Sequence, residues 1–236
     1  MDRGNAYTII FALIICLVAS SALTLVSKGL EPKKNFNIEI DRKKNVLKAF
    51  GVAIKGKKSN EIMTFYDENI DEYVIDKSGT TIEGKTPSEI DPVKEPDLKA
   101  VYKGSSAAVN GFAVPVEGPG LWGPMNGYLA LENDLNTVQG ISFYKHQETP
   151  GLGGEIEADW FTKNFVGKKI YDDAGVLKSI RVVKGAVEDA VADPKERQHC
   201  VDGISGATMT SDAVTKTIKN SLEQFEPHFQ KIRKGS

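Results

Sequence analysis

Two short stretches hold residues whose types and spacing could do chemistry. The first is Asp202 to Thr210, D-G-I-S-G-A-T-M-T, placed directly before an amphipathic run. Gly203, Ser205, Gly206, Ala207 and Thr208 are all small, so a ligand can approach the backbone closely there. A helix that follows would turn its free N–H groups and positive dipole end onto this loop, which is a ready phosphate site. Thr210 sets a hydroxyl at the start of that helix. The plainer alternative is a tight turn in which Ser or Thr caps the helix. The second stretch, His146 to Gly153, reads H-Q-E-T-P-G-L-G. Its Pro150-Gly151 turn, with Gly153 and Gly154 following, lets backbone amides face a ligand, and Glu148 and Thr149 add polar groups. Taken alone, it reads as readily as a solvated turn between a strand and a helix. His146 gets no acid–base role, since a lone histidine is more often a surface or core residue. No Ser-His-Asp or Cys-His arrangement, paired catalytic carboxylates or metal cluster suggests chemistry on a bound substrate.

The elements that must position these residues can be read from pattern. Val214, Ile218, Leu222 and Phe225 recur at helical spacing and define a helix over 211–225, and the KIRKGS tail reads as frayed. Strands are expected at 72–76, 111–116, 127–131, 138–144 and 177–183, where β-branched and aromatic residues lie between turn signals. Helices are expected at 41–50, at about 59–70 with Ser59 as its cap, and at 155–165. Residues 78–96 read as a loop. The fold class is therefore α+β, a mostly antiparallel sheet with helices packed on it. The division is an N-terminal anchor over 1–30, a helical and extended lead-in over 31–100, and one soluble domain over 101–230.

The anchor rests on a run from Ala6 to Val26 without a charged residue. As a helix it spans ~30 Å, the depth of a bilayer's hydrocarbon core. A transmembrane helix is the first reading. A cleaved leader is the alternative, with Arg3 as its positive flank and Ala19-Ser20-Ser21-Ala22 as a cleavage site. Counting Lys28, Lys33 and Lys34 against Arg3 would put the following domain in the cytoplasm, but such counts weaken before a long domain.

Composition removes other classes. A formal charge of -2 over 236 residues leaves no basic excess for binding nucleic acid. Cys16 and Cys200 lie far apart, and no C-x-x-C pair exists to hold zinc or an iron–sulfur cluster. Gly118, Gly120 and Gly123 spell G-x-G-x-x-G, but Pro124 and a strand-like run follow where a dinucleotide site needs a helix. Trp160 reads as core. Trp122, in a glycine-rich loop, is a candidate to contact a flat ligand or a partner.

The D-x-x-S-G-A-T-x-T pattern resembles the flavinylation motif of the FMN-binding domain family, and the H-x-E-T-P-G-L-G loop is similar to a second segment of that family. G-L-W-G-P-M-N-G-Y-L-A-L over 120–131 and D-R-K-K-N-V-L-K-A-F-G over 41–51 resemble the C subunit of the sodium-translocating NADH:quinone reductase. The nearest other likeness is the G subunit of the Rnf electron-transport complex. The resemblance implies FMN held covalently through a phosphoester on Thr210, installed by a separate flavin transferase from FAD. Ser205, Gly206, Ala207, Thr208, Glu148, Thr149, Gly151, Leu152, Gly153 and Trp122 are then the expected cofactor contacts. It further implies a single-pass inner-membrane subunit with its domain on the periplasmic side. That subunit relays electrons from NADH toward ubiquinone coupled to sodium export, within a multi-subunit complex whose other members bind NADH and quinone.

Overall fold

The computed structural model describes residues 4–235. The chain divides into two compact units, Met1–Arg42 and Lys43–Ser236. Helix α1 is continuous over Asn5–Ala49, so the separate short helix expected at 41–50 is its last part. No glycine pair or turn cluster interrupts the intervening residues, and the single Pro32 removes only one backbone donor. Among the described residues, α1 is the one helix long and apolar enough to cross a membrane. Its side chains from Tyr7 to Val26 are exposed, as a lipid-facing segment requires.

The second unit is built on a six-stranded sheet in the order β2-β1-β3-β4-β5-β6, antiparallel throughout. Its strands are β1 Ile70–Ile75, β2 Thr81–Ile82, β3 Lys99–Ser105, β4 Asn110–Pro119, β5 Pro124–Leu131 and β6 Val138–Lys145. Alternation along β4 sends Phe112, Val114 and Val116 to one face and Ala113 to the other. The first face packs under the final helix, α6, which runs Thr208–Lys234. Val214, Ile218, Leu222, Phe225 and Phe229 form its buried stripe. Ser221 Oγ accepts the Glu117 N–H at 3.1 Å and fixes α6 on β4.

The other face receives α2, Ser59–Asn69, and the end of α1. Ile62 and Tyr66 meet Val46, Leu47, Tyr102 and Tyr128 over small Ala113 and Ala130. Ser142 Oγ donates to Asn45 O at 2.8 Å beneath α1. Ser59 is the first helical residue of α2 and not its cap. The cap position falls to Lys58, whose N–H donates to Glu61 Oε2 at 3.2 Å.

Several expectations change. Strand β3 is not apparent from residue order, because Lys99 and Lys103 interrupt its alternation and only pairing with β1 and β4 reveals it. The strand expected over 177–183 reduces to β7, Arg181–Val182, since Ser179 sits at φ 65 and breaks the extended run. β7 pairs in parallel with β8, Cys200–Val201. The helix expected over 155–165 becomes α3, Asp159–Thr162, between two 3-10 turns, because Ala158 is extended. Two further short helices are α4, Val187–Ala190, and α5, Pro194–Arg197. The tail is helical to Lys234: Ile232 packs on the core, and the Arg233 guanidinium lies 4.4 Å from the centre of the Tyr171 ring. Trp160 is exposed, its Nε1–H donating to Glu155 Oε2 at 3.0 Å. Cys16 and Cys200 are both free.

Candidate functional site

Three segments meet at one end of the sheet. The β4–β5 hairpin turns through Gly120–Gly123, closed by Gly120 N–H donating to Gly123 O at 2.7 Å. The three spaced glycines of the false dinucleotide motif thus lie in and beside a hairpin turn. Pairing of Asn126 with Lys145 brings the exit of β6 beside the entry of β5. The loop from His146 to Gly153 therefore starts next to the hairpin tip. The third segment follows β8 and leads into α6.

Each residue of that third segment has a distinct local task. Asp202 Oδ1 accepts the Val187 N–H at 2.7 Å and ties the loop to α4. Ile204 is buried. Gly206 takes φ 74, a left-handed turn that glycine adopts without strain. Ala207 is the N-cap, and Ser211 N donates to Ala207 O at 2.9 Å as the first helical bond. The amides of Thr208, Met209 and Thr210 come before that bond, so these are the donors the helix end leaves for a ligand. The following 27-residue helix adds its dipole.

Thr210 is 2% exposed and its Oγ1 donates to Glu148 Oε2 at 2.6 Å. Glu148 Oε1 accepts the N–H of Leu121 at 2.7 Å and that of Trp122 at 3.4 Å. One carboxylate thus joins all three segments. Gly153 allows it: a Cβ there would overlap Thr210 Oγ1 and lie 2.8 Å from Glu148 Oε2. His146 supports the loop from behind, its Nδ1 accepting the Glu148 N–H at 3.2 Å. Its Nε2 lies 3.6 Å from Glu157 Oε2.

Around this junction is a cleft of about 340 Å3, lined by Trp122, Glu148, Thr149, Leu152, Gly153, Gly206, Ala207, Thr208 and Thr210. Leu121 and Met209 complete it; nothing in their residue types singles them out, since only the hairpin and the helix turn bring them together. Trp122 and Met209 are 65% and 66% exposed, and with Leu121 and Leu152 they form an apolar rim. Ser205 is outside this lining and borders a neighbouring cleft of about 480 Å3 that also includes Lys184, Thr208 and Ser211. Gly151 lies outside the lining and makes the turn before it, at φ 73. The arrangement fits a flavin nucleotide: amides and a hydroxyl for a phosphate, a space of small-molecule size and an apolar rim for a flat ring.

The profile of the FMN-binding domain family matches residues 120–223, from the hairpin tip through most of α6. Over 99% of its length the chain is 32% identical to the C subunit of the Na(+)-translocating NADH-quinone reductase of Pseudomonas aeruginosa, covering 98% of that protein. The chain belongs to the family of Na(+)-translocating NADH-quinone reductase C subunits. The C subunit of Vibrio vulnificus strain YJ016 is 33% identical over 94% of this chain and 92% of that one. A crystal structure of the C subunit from Parabacteroides distasonis superposes with a TM-score of 0.74, at 32% identity, over 85% of this chain and 96% of that one. As a C subunit of this kind, the chain is one member of an oxidoreductase complex, and its FMN-binding domain contains all three segments of the cleft.

Proposed function

We propose that this subunit carries FMN as a phosphoester on Thr210 and relays electrons through it. The complex would pass electrons from NADH toward ubiquinone and couple them to sodium export, with NADH and quinone bound by other subunits. The observation that carries the reading is a buried threonine hydroxyl in the first turn of a long helix, at the wall of a cleft with an apolar rim. The amides of Thr208, Met209 and Thr210 would hold the phosphate, and Thr149 and Gly206 would border it. Trp122, Leu152 and Met209 would cover the ring and keep water from it. The isoalloxazine supplies the redox chemistry when bound, and the protein supplies position and dielectric.

α1 would hold the subunit in the bacterial inner membrane with the Lys43–Ser236 unit on the periplasmic side. A separate flavin transferase would load it. In protein from its native host, intact mass should show an increment of roughly 440 Da, a covalent modification of the chain. An acid-denatured band should fluoresce in a gel. Thr210→Ala should lose both signals, and a Thr210→Ala chain that keeps its flavin would refute the assignment.

A further inference from the structure

Glu148 is 5% exposed, and no ion pair among the described residues involves it. A carboxylate buried without a cation is unfavourable unless hydrogen bonds offset its lost solvation. Neutral glutamine would fill the same volume and bridge the same segments without that cost. The position of the carboxylate is specific. One oxygen is fixed by the Leu121 and Trp122 amides, and the other sits 2.6 Å from Thr210 Oγ1. Gly120 makes room for the fixed oxygen, since a Cβ there would lie 2.5 Å from Oε1. A hydroxyl within hydrogen-bond reach of a base, itself oriented by a third group, is the geometry of an activated nucleophile.

Resting on the phosphoester reading above, we propose that Glu148 is the catalytic base of this chain's own flavin attachment. Thr210 Oγ1 attacks the FMN-side phosphorus of a flavin adenine dinucleotide presented by the transferase. Its proton passes to Glu148 Oε2 as the new P–O bond forms. The pyrophosphate P–O bond breaks, and AMP leaves with the bonding pair. Charge is conserved, and no oxidant or reductant enters. The neutral carboxyl left behind offers a donor to the new phosphodiester, so two anions do not share the buried site. The same geometry selects between the hydroxyls of the motif. Ser205 and Thr208 are exposed and, among the described residues, have no carboxylate at hydrogen-bond distance, whereas Thr210 is buried and has one.

The test incubates the full chain in detergent with a flavin transferase and FAD, and follows FMN incorporation by intact mass and in-gel fluorescence. Glu148→Gln should load about 10²- to 10⁴-fold more slowly, the usual contribution of a positioned base. Glu148→Asp, which keeps the carboxylate, should fall between Gln and the wild type. If the side chain only bridges the segments, the order reverses, because Gln is the closer match in shape. Gln loading at the wild-type rate, or faster than Asp, overturns the proposal. Should the Gln chain not fold, Asp and Asn at position 148 are compared in the same way: Asp loading faster than Asn supports the base, and equal rates overturn it. A wild-type chain that takes up no label would instead refute the phosphoester reading itself.

Discussion

Gly153→Ala isolates the junction between the two motif loops. Gly153 is buried and its φ lies outside the left-handed region, so alanine is compatible with the backbone. The added Cβ would overlap Thr210 Oγ1 and come 2.8 Å from Glu148 Oε2 and 3.1 Å from Glu148 Cβ. Relief requires separating the Thr210–Glu148 pair. A hydrogen bond to a charged group contributes about 1.5–3 kcal/mol, and overpacking of this kind costs about 1–3 kcal/mol. Both describe the same displacement, so they are not added, and a loss of about 2–3 kcal/mol is expected. At roughly 2–4 °C per kcal/mol for a domain of this size, Tm should fall by about 4–12 °C. Flavin loading should drop at least about tenfold, the effect of ~1.4 kcal/mol on a barrier. Gly151→Ala is the control: its φ of 73 strains alanine, but no atom lies within 4 Å of the new Cβ. It should lose about 1–2 kcal/mol and load normally. Thermal melts by circular dichroism and loading by intact mass report the two effects. Gly153→Ala with wild-type Tm and loading, or Gly151→Ala with the same loading defect, would refute the reasoning.

Leu222→Ala empties a fully buried position between α6 and β4 and should cost about 2–5 kcal/mol, read by urea or thermal unfolding. His228 gives a pH dependence. Its Nδ1 must donate to Gly79 O at 2.9 Å, so its Nε2 accepts from the Tyr73 hydroxyl at 2.8 Å. Burial pushes the Tyr73 phenol up to about 12, which keeps it a neutral donor. Burial, with Lys231 adding to it, holds the His228 imidazole below its ordinary value, and the Gly79 bond opposes the shift in part. The unfolded chain therefore binds this proton first, so the contribution is complete above about pH 6.5 and is lost as pH falls toward the lower folded value. Melts from pH 7.5 downward should show that loss in the wild type and not in His228→Gln.

Much of the fold is legible in the residue order because its signals are local. The stripe from Val214 to Phe225 follows from residue spacing, and β4 to β6 from β-branched and aromatic runs between turn residues. Strand β3 is not legible, because its alternation is imperfect and its pairing comes from β1 and β4. The helical tail is hidden for a similar reason. Polar residues that would fray in isolation are held here by Tyr171 and the core. At the site, the two motif loops can be seen in sequence only as separate segments.

The amino-acid order sets the apolar first helix, the long amphipathic last one, and a threonine where a helix must begin. Those depend on contacts within a few turns of chain, which spacing encodes directly. Three-dimensional packing alone settles that Glu148 meets Thr210 across a separation of 62 positions, that Leu121 and Met209 share one rim, and that Ser205 borders the neighbouring cleft instead. These outcomes depend on strand register and on where α6 lands on the sheet. No local pattern records that geometry, because it is set by how the whole core packs.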